Sequence, residues 1–469
     1  MIGSRLDKLK AGAAALALFV AVGASAVTAA PQPSYQTLRI AGDNVAVPYQ
    51  VWVAWSPTIV PTPDRNAWAF YSAQGENTDG SLGTKKLFVS RYDAAAGTWT
   101  AGTPLPGGQI QFGQSAAVDA NGVVHVVYTD RADDKPTSYG TLMYIKSTPE
   151  GGWTNPVKVS ENAAAGHQLS PDLVIDKNGA LHVVWQDQRG VDQATRDAAA
   201  SNADVFEADM GSDGKWGPTI QVSANRTSAT TNASRPQIAV DGDRIVVAWS
   251  VYTAESGINT ADSIQWSARA LDSSSAWSQP QQLVTRAKDA NGNSDQIGGR
   301  LLDLISDPTG GVGMVFGRHD GNVNNLFAQH LAAGGNAWSA PVTLASGDRG
   351  SFPAAAYQPD GTLVVAYNIG SGAAVGVGAV ALKAGATTPS VEANLTAGED
   401  GAQGRATLSV DGKGGIWVIY MHEPKGGLAN EIRVLKGAVI DATPGPAVQV
   451  ATPSASPVAA ASPAATPAS

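Results

Sequence analysis

The sequence contains no cysteine. This excludes disulfide bonds, thiolate metal sites, a cysteine nucleophile and a lipid-modified N-terminal cysteine. A chain of 469 residues without a disulfide must depend on its core and its topology for stability.

Charged residues are also scarce, at 15% of the chain, and the formal net charge is −9. Because an acidic surface is repelled by nucleic acids and by anionic membranes, we expect neither as a partner. Familiar catalytic motifs are missing too. The sequence has no glycine-rich phosphate loop, no nucleophile elbow and no His-Glu-x-x-His zinc motif.

The N-terminal segment has the pattern of a secretory signal. Arg5, Lys8 and Lys10 precede an apolar stretch over 11–22, and small residues at 24–26 or 27–29 suit cleavage. The alternative is a retained membrane anchor. We predict a signal peptide over 1–30 and a secreted, periplasmic or cell-surface protein with no membrane span after signal removal. Exports without cysteine are more usual in bacteria than in animals.

One unit recurs along the rest of the chain. It contains a short apolar strand, a turn with Asp and Gly, and an alternating strand that ends in an aromatic residue, as in 170–185. The units begin near 115, 170, 234, 300, 351 and 404, and a more degenerate copy lies at 51–92. Asp-Gly and Asp-x-Asn-Gly turns supply the positive backbone angles that tight hairpins need.

A third strand, a hairpin with tryptophan and a fourth strand follow in most units. Four strands in a repeat of 51 to 66 residues, without a helical period, predict an all-β fold with radially arranged blades. We therefore predict a β-propeller of about seven four-stranded blades over 31–442. The alternative number is six, if the first unit only completes the last.

The C-terminal segment 443–469 consists mostly of Ala, Pro, Ser and Thr and contains no charged residue. Such a composition cannot bury enough apolar surface to offset the entropy of ordering. We predict a disordered tail there.

The third unit carries a family resemblance. Trp185-Gln-Asp187-Gln-Arg189-Gly190 follows Ser170-Pro-Asp and precedes a Gly-x-Trp hairpin. This arrangement resembles the sialidase-like propellers with Asp-box (BNR) repeats, over roughly residues 50–440. The resemblance implies a propeller with glycan-related activity.

Individual motifs depart from that family. The nearest approaches to an Asp box, Ser-x-Asp-x-Gly-x-Thr-Trp, are 91–99 and 213–216, and both differ from it. Sialidases carry an Arg-Ile-Pro, three arginines that grip a carboxylate, an Asp acid/base and a Tyr/Glu pair. The candidate for the first is Leu38-Arg39-Ile40-Ala41, which lacks the Pro. No motif places the Asp or the Tyr/Glu pair.

Propeller geometry indicates where a ligand would bind. The start of each innermost strand and the loop after each second strand share one face, around the mouth of the channel. The ligand-binding candidates at these positions are Arg131, Asp187, Arg189, Arg235, Arg300, Arg318, His319, Arg405, His422 and Glu423.

Three of these arginines head the innermost strands of their units: Arg235, Arg300 and Arg405. Converging guanidinium groups would bind a carboxylate or a sulfate through their planar forks. The alternative is a structural brace, in which arginines pair with acidic residues such as Asp130 or Asp187.

Metal and acid–base signals are weaker. Two stretches alternate oxygen ligands as calcium prefers, namely Asp289, Asn291 and Asn293, and Asp320, Asn322 and Asn324. Such clusters are usually turns, so no cofactor is predicted, with calcium as the alternative. His125 and His182 lie inside strands and are predicted to be structural.

The leading functional hypothesis is a secreted, carbohydrate-binding propeller that holds a glycan or an extracellular protein at the channel mouth. A divergent glycan-active enzyme, a sialidase-like glycoside hydrolase or a polysaccharide lyase, is the first alternative, and a structural surface scaffold is the second. We expect a monomer.

Overall fold

The computed structural model describes residues 36–41, 49–51, 56–76, 82–108, 110–133, 138–160, 166–189, 203–211, 213–223, 232–252, 260–261, 263–272, 275–285, 296–320, 323–347, 349–370, 375–425, 430–438 and 440–448. The predicted signal peptide lies outside these ranges. Of the predicted tail, residues 443–448 lie inside them, and there the Gly445 N–H donates to the Pro389 carbonyl at 2.8 Å.

Regular structure in these ranges is entirely β-strand. The first three blades contain β2 (Tyr49–Val51), β3 (Thr58–Pro61), β4 (Ala67–Glu76), β5 (Leu82–Asp93), β6 (Thr98–Trp99) and β7 (Thr103–Pro104); β8 (Ile110–Val118), β9 (Val124–Arg131), β10 (Thr141–Lys146) and β11 (Val157–Lys158); and β12 (Gln168–Ile175), β13 (Leu181–Asp187), β14 (Asp204–Met210) and β15 (Ile220–Gln221). In blade 1, β2 and β3 both pair with β4, and β6 and β7 both pair with β5.

The next three blades repeat the antiparallel order. They contain β16 (Asn232–Asp241), β17 (Arg244–Tyr252), β19 (Ser263–Ala270) and β20 (Gln281–Thr285); β21 (Gln296–Ser306), β22 (Val312–Asp320), β23 (Val323–Leu331) and β24 (Val342–Gly347); and β25 (Arg349–Tyr357), β26 (Leu363–Ile369), β27 (Gly376–Leu382) and β28 (Ala393–Asn394). The short β18 (Thr260–Ala261) leaves blade 4 to pair with β21 of blade 5.

The seventh blade joins the two ends of the chain. Its inner strands are β29 (Ala402–Val410), β30 (Ile416–Glu423) and β31 (Glu431–Ala438), and its outer strand is β1 (Gln36–Ala41). The predicted all-β propeller is confirmed, with seven blades. Since Arg39 lies in this outermost strand, the Leu38-Arg39-Ile40-Ala41 match to Arg-Ile-Pro places no arginine at the channel.

The hydrophobic core lies between the blades. Each cluster of buried side chains in the described ranges draws mainly on two neighbouring blades, and one cluster joins blade 7 to blade 1 through Trp417, Ile419 and Tyr71. The aromatic residues that end the second strands fill these interfaces as predicted; Trp185 and Trp249 are completely buried. Each blade is therefore stabilised chiefly by its neighbours.

A ring of side chains, polar in six of the seven blades, lies at one level of the innermost strands. In every blade, one innermost-strand residue lies opposite the residue that precedes the second-strand aromatic; this ring position is occupied by Thr58, Ser115, Asp172, Gln237, Asp303, Ala354 and Thr407.

Ring-position side chains connect adjacent innermost strands. Ser115 Oγ accepts from the Leu173 N–H at 3.1 Å, Asp172 Oδ2 accepts from the Ile238 N–H at 2.9 Å, and Asp303 Oδ2 accepts from the Ala355 N–H at 2.7 Å. An innermost strand is a sheet edge, so its outward N–H groups need such partners.

Burial perturbs the two carboxyl groups of this ring. It raises the pKa of Asp172 to about 6, and that of Asp303 to about 7, where the Asp172 charge adds to the effect. Hydrogen bonds to the carboxylates oppose these shifts but do not cancel them.

Asp303→Asn should stabilise the protein at alkaline pH. A carboxyl group whose pKa is raised on folding favours the folded state below its unfolded pKa, and this contribution is lost as the pH rises through about 7. Since an Asn keeps an acceptor oxygen without the charge, the melting temperature of the variant should exceed that of the wild type by several degrees at pH 8.5. The difference should shrink towards pH 5.

Thermal unfolding followed by circular dichroism across this pH range measures the effect. Asp360→Asn is the control, because its exposed carboxyl group has a lowered pKa through hydrogen bonds from Thr362. A wild type that loses no stability relative to Asp303→Asn between pH 5 and 8.5 would contradict the expected sign.

Candidate ligand-binding site

A β-bulge interrupts the innermost strand of each of blades 2 to 7. In blades 2, 3, 4, 6 and 7 the pairing register shifts just before the ring position, for example between Ser234 and Gln237 and between Gly404 and Thr407. In blade 5 it shifts between Ile297 and Leu302, one residue earlier. We call the residue two places before the ring position the rim position. It is occupied by Ser56, Gly113, Ser170, Arg235, Leu301, Phe352 and Arg405.

Five of the seven rim residues have a backbone conformation that side chains normally avoid. Ser170, Arg235, Phe352 and Arg405 have φ values of 50°, 53°, 51° and 52°, and Gly113 has 61°. A left-handed backbone costs a non-glycine residue roughly 1–3 kcal/mol, and such strain concentrates at functional sites. Bulges also redirect side chains near active sites.

Two neighbouring rim residues touch each other. The Arg405 guanidinium carbon lies 4.8 Å from the centre of the Phe352 ring, and both side chains are partly exposed. Guanidinium groups pack on aromatic faces and bind carboxylates and sulfates through a planar fork.

The three predicted head-of-strand arginines are not strictly equivalent. Arg235 and Arg405 occupy the rim position, whereas in blade 5 that position is taken by Leu301. Arg300 lies one residue earlier, inside the same bulge between Ile297 and Leu302.

Arg131 ends β9, and Arg318 lies two residues before the end of β22. Arg131 Nε donates to the Ser138 carbonyl at 2.9 Å. Arg318 pairs with Ile297 and is partly exposed. His319 follows Arg318 in the same strand. The side chains of the six calcium candidates lie outside the described set.

Asp187 and Arg189 form a structural brace. The Asp187 carboxylate is 1% exposed and accepts hydrogen bonds from Trp185 Nε1 at 2.8 Å, Gln168 Nε2 at 3.1 Å and Arg189 Nη2 at 2.6 Å. The Arg189 guanidinium also lies 4.1 Å from the Phe206 ring centre. These contacts favour the bracing alternative for this pair.

His422 belongs to a polar cluster that joins blades 6 and 7. Glu399 accepts from the Tyr420 hydroxyl at 2.5 Å and from Arg433 Nη1 at 2.9 Å, and it lies 3.5 Å from His422 Nδ1. Burial lowers the pKa of His422, with the Arg433 charge adding to the shift. Glu423, at the end of the same strand, is exposed.

The sequence missed the partners in this cluster. Glu399, Tyr420 and Arg433 come from three separate segments, and no short motif links them. Phe352 is uncharged, so the pattern of charged residues at the mouth does not include it. Its equivalence to Arg235 is visible in the shared X-Pro dipeptide, Phe352-Pro353 and Arg235-Pro236.

A second group of titratable residues lies at the opposite end of the blades. His182, Glu207 and Asp209 place possible ligand atoms within 4.8 Å of one another. Arg269 already contacts both carboxylates, and Trp277 Nε1 donates to Glu207 Oε2 at 3.0 Å. Because Arg269 belongs to blade 4 and both carboxylates belong to blade 3, these ion pairs connect the two blades.

Comparison with known proteins adds the fold relationship. No protein-family model matches the sequence, and no curated protein matches it. Among solved structures, an ulvan lyase of polysaccharide lyase family PL25 has a TM-score of 0.51 at 10% identity, covering 85% of this chain and 95% of that one. A protein of unknown function from Dyadobacter fermentans has a TM-score of 0.50 at 11% identity, covering 87% of this chain and 100% of that one.

A sialidase is among the matches as well. The Streptococcus pneumoniae NanB sialidase has a TM-score of 0.45 at 9% identity, covering 87% of this chain and 71% of that one. The chain shares a β-propeller fold with the ulvan lyase. At such low identity the likeness concerns the fold alone. In the described ranges of the propeller, no helix is long and apolar enough to cross a membrane.

Removing the brace should destabilise the propeller. Asp187→Ala leaves the Arg189 charge and the Trp185 and Gln168 donors without their common acceptor, so the free energy of unfolding should fall by roughly 3 kcal/mol or more. Chemical denaturation measures the loss. Asp243→Ala is the control, because Asp243 pairs with Lys177 at an exposed site, where ion pairs contribute at most about 1 kcal/mol. Equal losses in the two variants would rule out the brace.

Proposed function

We propose that the mature protein is an exported propeller that binds an acidic glycan at the mouth of its channel. The rim residues form the binding surface, with Arg235 and Arg405 as the anion-binding groups and Phe352 as the aromatic platform. The strained rim geometry is the observation that carries the proposal.

Gly113 shows why the strain matters. It occupies the rim position of blade 2 with φ 61°, so glycine is accepted there without the cost of a side chain. The other strained rim positions nevertheless carry Ser170, Arg235, Phe352 and Arg405. Side chains that persist where glycine would suffice point to a function of the side chains themselves.

The chemistry of the rim suits a charged sugar. Arginine forks bind carboxylates and sulfates, and an aromatic face packs against apolar patches of a ligand. The ulvan lyase propeller that this chain resembles has been solved bound to -[GlcA(1-4)Rha3S]-, with a TM-score of 0.51 and 11% identity. This fold-level analogy supports a uronate- or sulfate-bearing glycan as the ligand class.

Replacing the rim arginines should abolish binding without unfolding the protein. We expect Arg235→Ala/Arg405→Ala, alone or with Arg300→Ala, to weaken binding of acidic oligosaccharides at least tenfold. The measurement is a glycan-array screen of the mature protein, followed by calorimetric titration of the hits. Arg91→Ala is the control, because Arg91 also packs on an aromatic ring, Trp68, but away from the rim.

The same variants distinguish binding from bracing. Arg405→Gly removes the strained side chain and should unfold at a higher temperature than Arg405→Ala. A fall in melting temperature of tens of degrees in the arginine variants, or unchanged glycan binding, would overturn the proposal.

A glycan-active enzyme is a second candidate, favoured by the Glu399 cluster. It places a tyrosine hydroxyl and a histidine beside an arginine, which are groups that acid–base catalysis on a sugar acid requires. Tyr420 and His422 are both fully buried, however, so a substrate reaches them only if the covering segment moves.

Turnover separates the two candidates. If the protein is an enzyme, the array hits should be cleaved, and Tyr420→Phe should reduce the rate at least a hundredfold while binding is retained. Tyr367→Phe is the matched control, because Tyr367 holds the equivalent strand position in blade 6 and donates to Glu392 at 2.9 Å. Bound glycans that remain intact over long incubation would exclude the enzyme.

A further inference from the structure

Glu399 is held as a bound ligand would be. Its Oε1 accepts from the Tyr420 hydroxyl at 2.5 Å, and its Oε2 accepts from Arg433 Nη1 at 2.9 Å. His422 Nδ1 lies 3.5 Å from the same Oε2. The groups around the carboxylate all project from β30 and β31, the rigid central strands of blade 7, whereas Glu399 itself does not belong to a strand.

The segment that carries Glu399 lies between β28 of blade 6 and β29 of blade 7. It is flanked by Gly398 with φ 86° and Gly401 with φ 67°. A side chain at Gly401 would come within 2.0 Å of the Glu423 carbonyl, whereas one at Gly398 would meet open space. Gly401 is thus packed against the end of β30, whereas Gly398 lies in an open turn in which the Glu399 N–H donates to the Thr396 carbonyl at 3.1 Å.

We propose that Tyr420, His422 and Arg433 form a carboxylate-binding pocket, and that Glu399 is its internal occupant, which a ligand carboxylate displaces. The inference rests on the proposed function for the source of the ligand, because a uronate-bearing glycan at the rim would supply such a group. Gln403, which contacts His422 Nδ1 through Nε2 at 3.2 Å, lies only two residues before the rim residue Arg405 in β29.

The local charge favours displacement of Glu399 by a ligand carboxylate over the binding of an additional carboxylate. Arg433 also donates through Nε and Nη2 to Glu431 Oε2, both at 2.9 Å, and Asp400 lies 3.4 Å from His422 Nε2. The pocket therefore contains one guanidinium and three carboxylates, so a fourth carboxylate would be repelled. A ligand that replaces Glu399 leaves the net charge unchanged.

One nitrogen of the His422 ring has an unsatisfied hydrogen-bonding capacity, as expected of a ligand-binding group without its ligand. The residue is completely buried, yet its Nε2 atom has no hydrogen-bond partner, since Asp400 is placed at 3.4 Å without suitable geometry. Buried polar groups are normally satisfied. Movement of the Gly398–Gly401 segment would open this atom to a ligand.

Removing the internal carboxylate tests the pocket. Glu399→Ala should bind sodium acetate and sodium D-glucuronate at least tenfold more tightly than the wild type, measured by ligand-induced shifts in melting temperature and by calorimetric titration. Glu399→Gln, which retains the size of the side chain and an acceptor oxygen, keeps the test available if the Ala variant folds poorly. Arg433→Gln in the Glu399→Ala background should abolish the gain.

Glu392→Ala is the matched control, because it removes the carboxylate that accepts from Tyr367 at the equivalent position in blade 6. It should not gain affinity for either anion. Sodium chloride at equal ionic strength controls for general salt effects.

Each outcome either supports or overturns the proposed pocket. Tighter binding of both anions by the Glu399 variants supports the pocket. Binding of acetate alone would show a sealed ion pair that no saccharide enters, and it would overturn the proposal, as would binding of neither anion. In these last two cases, loss of glycan binding in Arg235→Ala/Arg405→Ala would still leave the proposed function standing.

Discussion

Apolar contact between adjacent sheets is the constraint on which the structure depends. No blade has a separate core in the described ranges; the buried clusters join neighbours, and the cluster of Trp417, Ile419 and Tyr71 closes the ring between blades 7 and 1. Pairing of β1 with β31 places the first and last strands in one blade. This pairing closes the ring in a chain that has no disulfide. Local strain at the rim is tolerated because each innermost strand is held by its own sheet and by its neighbours.

This closed frame explains why the candidate site is carried by strands. Binding residues are often found on loops, but a bulge in a packed strand fixes a side chain more firmly than a loop can. Arg405 and Phe352 belong to different blades, and their contact at 4.8 Å depends on the angle between two sheets. Rigid placement lowers the entropy cost of binding.

Much of the fold could be predicted from the sequence, because each unit repeats its own local signals. Asp-Gly turns and terminal aromatics define blades without long-range information. Arg300 was misaligned by one residue: Arg235 stands six residues before Asp241, whereas Arg300 stands seven before Asp307. The Glu399 cluster could not be predicted, since only the packing of blade 6 on blade 7 brings its members together. For Asp187 and Arg189, the sequence left binding and bracing open, and the contacts favour bracing.

The net acidity of the chain does not oppose an anionic ligand at this rim. Asp172 lies two residues deeper in the channel than Ser170, and burial raises its pKa to about 6 and that of Asp303 to about 7. At neutral pH these carboxyl groups are therefore partly protonated, so the rim arginines face less negative charge than the sequence suggests. Dissolved salt screens the exposed acidic surface over about 10 Å at 0.1 M ionic strength, whereas partly buried groups are screened less. Partial protonation of Asp172 and Asp303 thus reduces the negative charge that lies beneath the rim arginines.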